Sequence, residues 1–348
     1  MEKMLRVAVV GATGVVGRAI LERLHDRSFP ARVVRAFASK ASLGETVPFG
    51  EDEVDVEQLE QIRFEDFDLA FFCAGSTVTK TYAPGAVRMG CVVIDTSEAY
   101  RLDERVPLII PEVNGEALVL HQGIIASPNS ITVALLLVLA PLLEVCELRR
   151  VVVTALLSAS GAGKKGVREL EKQIGDLLNM RDIEVAAFPH QLAFNLLPQT
   201  DMFEDNEYTR DEMTLLHETR KILPDADFRL TATCVRIPVF FSHALVVNLE
   251  TEKPLQAKDA RALLVQAMGV QVCDNPGERI YPTVVDCGGE DAVFVGRIRE
   301  DTSCNNGLNL WIVVDNLRKG SALNAVQIAE ELLQRNLVFL ENRNAFLE

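Results

Sequence analysis

The sequence predicts a two-domain α/β protein, with a parallel, doubly wound sheet domain first and then an α+β domain built on a mixed or antiparallel sheet. Three observations carry this. Short, valine-rich apolar runs alternate with helix-compatible segments through the first third of the chain. Beyond about residue 150 the apolar runs lengthen and take on a β texture. The chain has 348 residues and is 48% apolar, enough for more than one hydrophobic core.

Taken in order, Leu5–Val10 reads as a buried strand that the stretch Gly11-Ala12-Thr13-Gly14 interrupts. Val16, Ile20 and Leu24 then recur at helical spacing, and Pro30 is expected to stop that helix. Apolar runs at 32–37, 68–73, 91–94 and 123–126 supply the remaining strands of the first domain. Residues 131–145 are the longest apolar stretch; they contain Pro141 and are too short to span a bilayer, so a buried helix is expected. The second domain draws strands from 150–157, 228–250, 292–298 and 308–314, helices from 164–178 and 210–222, and a closing amphipathic helix from 321–337. Neither an internal repeat nor a low-complexity tract interrupts the pattern.

The formal charge of −15 repels polyanions, which argues against nucleic acid and acidic membrane surfaces and favours a small-molecule ligand. Seven cysteines, an odd number without a Cys-x-x-Cys pair, read as reduced thiols in the cytoplasm. The opening Met1-Glu2-Lys3-Met4 leads directly into a strand pattern, so no signal peptide is expected. His25, His121, His190 and His217 share no metal-ligand spacing with the cysteines, and no metal is expected.

Gly11, Gly14 and Gly17 form a Gly-x-x-Gly-x-x-Gly turn between strand and helix, enclosing Thr13, Val15 and Val16. Such a turn lets backbone N–H groups and a helix N-terminus face a dinucleotide pyrophosphate, which marks a Rossmann-type domain. After the second strand an NAD site usually carries a carboxylate. Residues 37–42 carry none, whereas Ser39, Lys40 and Ser42 suit a 2′-phosphate, which favours NADP over NAD unless they are only polar loop residues.

Several longer motifs extend this reading: Gly-Ala-Thr-Gly-Val-Val-Gly from Gly11, Asp-Thr-Ser-Glu-Ala-Tyr-Arg from Asp95, Ile-Pro-Glu-Val-Asn from Ile110, Ser-Gly-Ala-Gly from Ser160, and Asp-Asn-Leu-Arg-Lys-Gly-Ser-Ala-Leu-Asn from Asp315. Through them the chain resembles the aspartate-semialdehyde dehydrogenase family of amino-acid biosynthesis, in particular its Usg-like branch. The resemblance implies a Rossmann domain over 1–130 completed by a C-terminal segment, 320–348, and a catalytic and dimerisation domain over 131–319. It also implies a homodimer and NADP or NAD as cofactor, bound by Gly11, Thr13, Gly14, Val15, Val16, Gly17, Ser39, Lys40, Ser42, Gly75, Ser160, Gly161 and Asn316. The family's chemistry uses a cysteine thiolate that forms a thioester, a histidine that moves protons, hydride exchange with a nicotinamide, and phosphate as acyl acceptor.

On that resemblance Arg101 and Asn129 belong to the phosphate and substrate site, and Arg236 with His243 are the substrate arginine and proton-transfer histidine. Their seven-residue offset needs a bend, because alternation along a single strand puts odd offsets on opposite faces. Taken alone, the two residues read as ordinary polar strand residues.

Other positions depart from the family. Pro128-Asn129-Ser130 places serine where the cysteine is expected, Leu157 stands for a substrate-orienting glutamine, Glu212-Met213-Thr214 keeps the glutamate of a Glu-x-Lys substrate and phosphate pair but has Thr214 for the lysine, and Ala41 replaces an arginine. A helix N-terminus that activates a thiol is too weak to ionise an alcohol. Serine is also a favoured N-cap, and that role ranks ahead of catalysis for Ser130. Cys73, Cys234 and Cys304 occupy no matching motif and read as structural thiols. Three outcomes remain open: a family member with little or no dehydrogenase activity that binds nucleotide or phosphate; an active oxidoreductase on aspartate semialdehyde or another carbonyl, with His243 as acid or base; and a partner-binding scaffold without nucleotide.

Overall fold

The computed structural model describes residues 4–338, so the last ten residues of the expected C-terminal segment lie outside the described part. The chain divides into two compact units, one formed by Ser130–Gly320 and the other by the residues on either side of it.

The first unit runs through β1 (Leu5–Val10), α1 (Val15–Asp26), β2 (Ala31–Ala38), β3 (Thr46–Phe49), β4 (Asp52–Gln58), β5 (Leu69–Phe72), α2 (Ser76–Arg88), β6 (Val92–Asp95), α3 (Pro111–Asn114) and β7 (Ile124–Ala126). Its seven-stranded sheet has the order β3-β4-β2-β1-β5-β6-β7. All neighbours are parallel except β3 on β4. β1, β5, β6 and β7 are buried, mostly apolar runs because both faces of the sheet are covered there. β1 lies between β2 and β5, where the strand order turns back, and ligands of such sheets bind beyond the strand C-termini at that point.

Two local expectations are corrected here. α1 ends at Asp26, ahead of Pro30, because Ser28 takes a left-handed φ of 50° while Ser28 N–H donates to His25 C=O and Phe29 N–H donates to Leu24 C=O. These bonds satisfy the last carbonyls of the helix before the proline is reached. The β3–β4 hairpin carries an acidic stretch, Glu51-Asp52-Glu53, and lacks an apolar run. It folds as an edge hairpin that buries only Val47 and Val56 fully.

The second unit contains α4 (Ser130–Leu143), β8 (Leu148–Leu157), α5 (Gly163–Leu178), α6 (Arg210–Ile222), β9 (Arg229–Arg236), β10 (His243–Thr251), α7 (Ala257–Gln266), β11 (Val270–Val272), β12 (Val293–Glu300) and β13 (Gly307–Val314). Its six-stranded sheet has the order β11-β12-β13-β10-β8-β9 and is mixed, with β8–β9 and β11–β12 parallel and the other pairs antiparallel. The expected single run at 228–250 resolves into two strands because residues 237–242 leave the sheet. α7 and β11 are short and shallowly buried, so they do not announce themselves; α7 buries only Ala257, Ala260 and Leu264. The apolar α4 packs against β10, β12 and β13, and among the described residues no helix is long and apolar enough to cross a membrane.

A π-helical turn, Arg318–Ala322, precedes α8 (Leu323–Gln334), which belongs to the first unit and packs on α1. α8 is shorter than the expected 321–337. Asn336 adopts a left-handed φ of 56° while its N–H donates to Leu333 C=O and Leu337 N–H donates to Leu332 C=O, which closes the helix.

Candidate active site

In the first unit the turn after β1 is shaped by close backbone approach. A Cβ at Gly17 would lie 2.3 Å from the carbonyl oxygen of Gly11, and one at Gly11, whose φ is 90°, would meet the backbone of Cys73 and Ala74 at 2.8 Å. Gly14 caps α1, whose first intrahelical bond runs from Arg18 N–H to Gly14 C=O. The N–H groups of Val15, Val16 and Gly17 therefore have no partner within the helix, and no acidic side chain occupies its first turn. This is an anion-binding terminus, and the glycine cradle fits a dinucleotide pyrophosphate.

Thr13 Oγ1 lies 3.2 Å from Ser42 Oγ, which joins the glycine turn to the turn after β2 where Ser39 and Lys40 are exposed. Gly75, just ahead of α2, has a φ of 87° with open space around it, so the backbone angle demands glycine there. Gly17→Ala is expected to cost about 1–3 kcal/mol by overpacking and to weaken nucleotide binding. Thermal unfolding and calorimetric titration with NADP and NAD read both; unchanged affinity would remove Gly17 from the cradle.

Arg101 follows β6. Its Nε donates to Ser127 C=O at 3.0 Å and its Nη2 to Thr96 C=O at 2.8 Å, so much of the guanidinium ties backbone segments together. Beneath it Asp95 is fully buried and accepts from Thr79 Oγ1, Ser97 N and Ser97 Oγ. Burial still raises the Asp95 pKa above the usual carboxylate range. Asn129 is the last residue of the first unit ahead of α4.

In the second unit Ser130 is the first residue of α4, inside the helix and not ahead of it as expected for a cap. A Cβ at Gly320 would lie 2.6 Å from Ser130 Cβ, so the Asp315–Gly320 turn is packed directly on this serine. Asp315 builds that turn: Oδ1 accepts from the N–H groups of Leu317 and Arg318, and Oδ2 from Gly289 N–H.

Arg236 ends β9 and His243 begins β10, separated by residues 237–242 with Ser242 at a left-handed φ of 67°. This is the bend that the seven-residue spacing requires. Both side chains reach the space over Gly161, where a Cβ would lie 2.5 Å from Arg236 Nη1 and 3.5 Å from His243 Nε2. Arg236 Nη1 donates to Ser158 C=O at 2.8 Å. Burial, together with the Arg236 charge, pushes the His243 imidazole down to about 3, so it is neutral at pH 7. Leu157 pairs in register with Arg236 and is buried, presenting hydrocarbon where an amide would offer hydrogen bonds.

Glu212, expected to face a ligand, is instead part of the scaffold. Its Oε2 accepts from Thr209 N–H at 2.6 Å in a capping box, and its Oε1 accepts from Cys234 N–H at 2.8 Å. The carboxylate whose charge acts most strongly on Arg236 is its neighbour Asp211. The Thr-x-x-Glu spacing from Thr209 is the sequence signal that separates the two roles.

Asn316 Oδ1 accepts from Ser242 N–H at 3.1 Å and from Ser160 Oγ at 3.1 Å, with Ser158 Oγ 3.5 Å away. That oxygen is committed within the second unit. Ser158, absent from the expected site residues, joins this cluster fully buried.

All seven cysteine thiols are held above their ordinary pKa, mainly by burial, with Cys73 and Cys287 at about 12. Among the described residues no cluster of His, Cys, Asp and Glu could hold a metal ion.

Residues 6–121 match the semialdehyde dehydrogenase NAD binding domain, and residues 139–319 match the semialdehyde dehydrogenase dimerisation domain. An aspartate-semialdehyde dehydrogenase of Legionella pneumophila is 48% identical, covering 97% of this chain and 98% of its own. The crystal structure of aspartate semialdehyde dehydrogenase II from Vibrio cholerae superposes with a TM-score of 0.93 at 42% identity, over 95% of this chain and 99% of that one; the same enzyme has been solved in complex with ASA. A probable aspartate-semialdehyde dehydrogenase from Pseudomonas aeruginosa superposes with a TM-score of 0.91 at 36% identity, over 96% and 100% of the two chains. With both of its units matched and its length shared almost end to end with these relatives, the chain belongs to the aspartate-semialdehyde dehydrogenase family.

Proposed function

We propose that this chain is a nucleotide-binding member of the Usg-like branch with weak or absent aspartate-semialdehyde dehydrogenase activity. The observation that carries the reading is Ser130 at the head of α4, in a chain whose seven thiols are all pushed away from thiolate formation. An alcohol there needs a dedicated base, and the acyl ester it would form is a poorer hydride acceptor than a thioester. Leu157 and Thr214 remove further polar contacts with a substrate. The glycine cradle, with Ser39, Lys40 and Ser42 beside it, favours NADP over NAD, and a bound nicotinamide nucleotide would supply hydride exchange.

A cytoplasmic homodimer is part of the same proposal. Thr154, Val246 and Trp311 are paired across adjacent strands on one sheet face, and Val246 is 39% exposed in the single chain. Burial against a second copy would cover that apolar surface.

The test is NADP reduction by the purified protein with aspartate semialdehyde and phosphate, run beside Ser130→Cys and an active relative. The expected result is turnover on the order of a thousandfold or more below the relative, with partial recovery in the cysteine variant. Full turnover by the unmodified protein would end the proposal. A second reading, an oxidoreductase that reduces a carbonyl without a covalent step, is favoured by the convergence of Arg236 and His243 over Gly161. Oxidation of NADPH by some member of an aldehyde and ketone panel would establish it.

A further inference from the structure

We infer that Ser158 is a positioning residue for His243, engaging Nδ1 through both its backbone N–H and its hydroxyl, so that the ring proton resides on Nε2 and the one basic lone pair, on Nδ1, is held by Ser158.

The backbone contact decides the tautomer. Ser158 N donates to His243 Nδ1 at 3.2 Å, and a peptide N–H can only donate, so this contact makes Nδ1 the accepting nitrogen, whereas the Ser242 backbone bond to the ring favours the protonated imidazole. Ser158 Oγ lies 3.1 Å from the same nitrogen and 2.9 Å from Ser160 Oγ. With Nδ1 accepting, the Ser158 hydroxyl donates to it, while the Ser160 hydroxyl donates to Asn316 Oδ1 at 3.1 Å. Asn316 Oδ1 also accepts from Ser242 N–H, which clamps the peptide immediately ahead of His243. Ser242 is held there in a left-handed conformation rare for a residue with a side chain, a strain that persists only where the surroundings over-determine it. Ser158, Ser242 and His243 are all within 3% of complete burial, so water does not compete for these bonds.

The consequence appears on the other edge of the ring. Nε2 and Arg236 Nη1 both lie against Gly161, 3.5 Å and 2.5 Å from where a Cβ there would sit, and Arg236 is the charged group that acts on the imidazole. A neutral Nε2–H and a guanidinium are both donors. An acceptor oxygen, carbonyl or anionic, is the group these two donors would take, and the lone pair on Nδ1 is already engaged by Ser158 and so is not presented to a hydroxyl nucleophile. This consequence rests on the reading of Ser130 as an alcohol in place of the family's thiol; the tautomer does not.

The experiment is a long-range 1H–15N correlation spectrum of the full chain labelled at histidine, recorded at pH 7, with His243 identified by its loss in His243→Asn. The expected spectrum has the His243 proton on Nε2 and a hydrogen-bonded, unprotonated Nδ1. In Ser158→Ala the backbone donor remains but the hydroxyl is lost, and the preference for the Nε2–H form should fall roughly tenfold, restored in Ser158→Thr. A proton on Nδ1 in the unmodified protein, or an unchanged tautomer ratio in a folded Ser158→Ala, overturns the inference. If Ser158→Ala does not fold, the spectrum of the unmodified protein decides alone. Full dehydrogenase turnover accompanied by an Nε2–H signal would sink the reading of Ser130 and leave the Ser158 lock standing.

Discussion

Glu212→Ala is expected to lower the unfolding free energy by about 3–5 kcal/mol. β9 is an edge strand, and its Cys234 N–H, with no further strand beside it, is satisfied by Glu212 Oε1. The other oxygen closes the capping box at the start of α6. Truncation therefore leaves two backbone donors in a buried setting without their charged acceptor, and each such loss costs more than the bond itself contributes on average. Urea unfolding followed by circular dichroism measures the change. A residue that served only to bind a ligand would behave differently: its removal would leave stability within about 0.5 kcal/mol and reduce affinity instead. Glu212→Gln, which keeps one oxygen acceptor, should fall between the two.

Acidification should be as costly, through His243. Its folded value of about 3 lies below the ordinary 6.5 of the unfolded chain. Between these two values the unfolded state binds a proton that the folded state refuses, so the contribution to stability is intact above pH 6.5 and is lost progressively as the pH falls toward 3. The full span corresponds to something on the order of 5 kcal/mol, of which about 2 kcal/mol is already lost at pH 5. His121, whose pKa burial also lowers, adds a loss of the same sign. Comparing unfolding free energies at pH 7.5 and pH 5 for the unmodified protein and His243→Asn isolates the His243 share, since His121 is common to both. Parallel pH dependence in the two proteins would show that His243 is not held neutral by the fold.

Much of the first unit was legible because its signals are local. A glycine needed for backbone clearance, as at Gly17, announces itself by residue type, and an apolar run such as Leu5–Val10 is a strand wherever both faces are covered. The helix ends were less legible: Ser28 and Asn336 terminate α1 and α8 through left-handed turns that glycine usually marks. The β3–β4 hairpin escaped notice because an edge element buries one face and keeps its acidic residues on the other.

The site divides along the same line. The amino-acid sequence by itself determined the order of elements, the nucleotide cradle, and the presence of an alcohol at Ser130 and hydrocarbon at Leu157, because each follows from the kind of side chain at a position. Only the tertiary structure decided which of two adjacent carboxylates belongs to the scaffold, that Arg236 and His243 meet over Gly161, and which nitrogen of His243 carries the proton. Those outcomes depend on contacts between residues far apart in the chain, such as Glu212 with Cys234 and Ser158 with His243, and a hydrogen bond's direction is set by the partner that folding delivers.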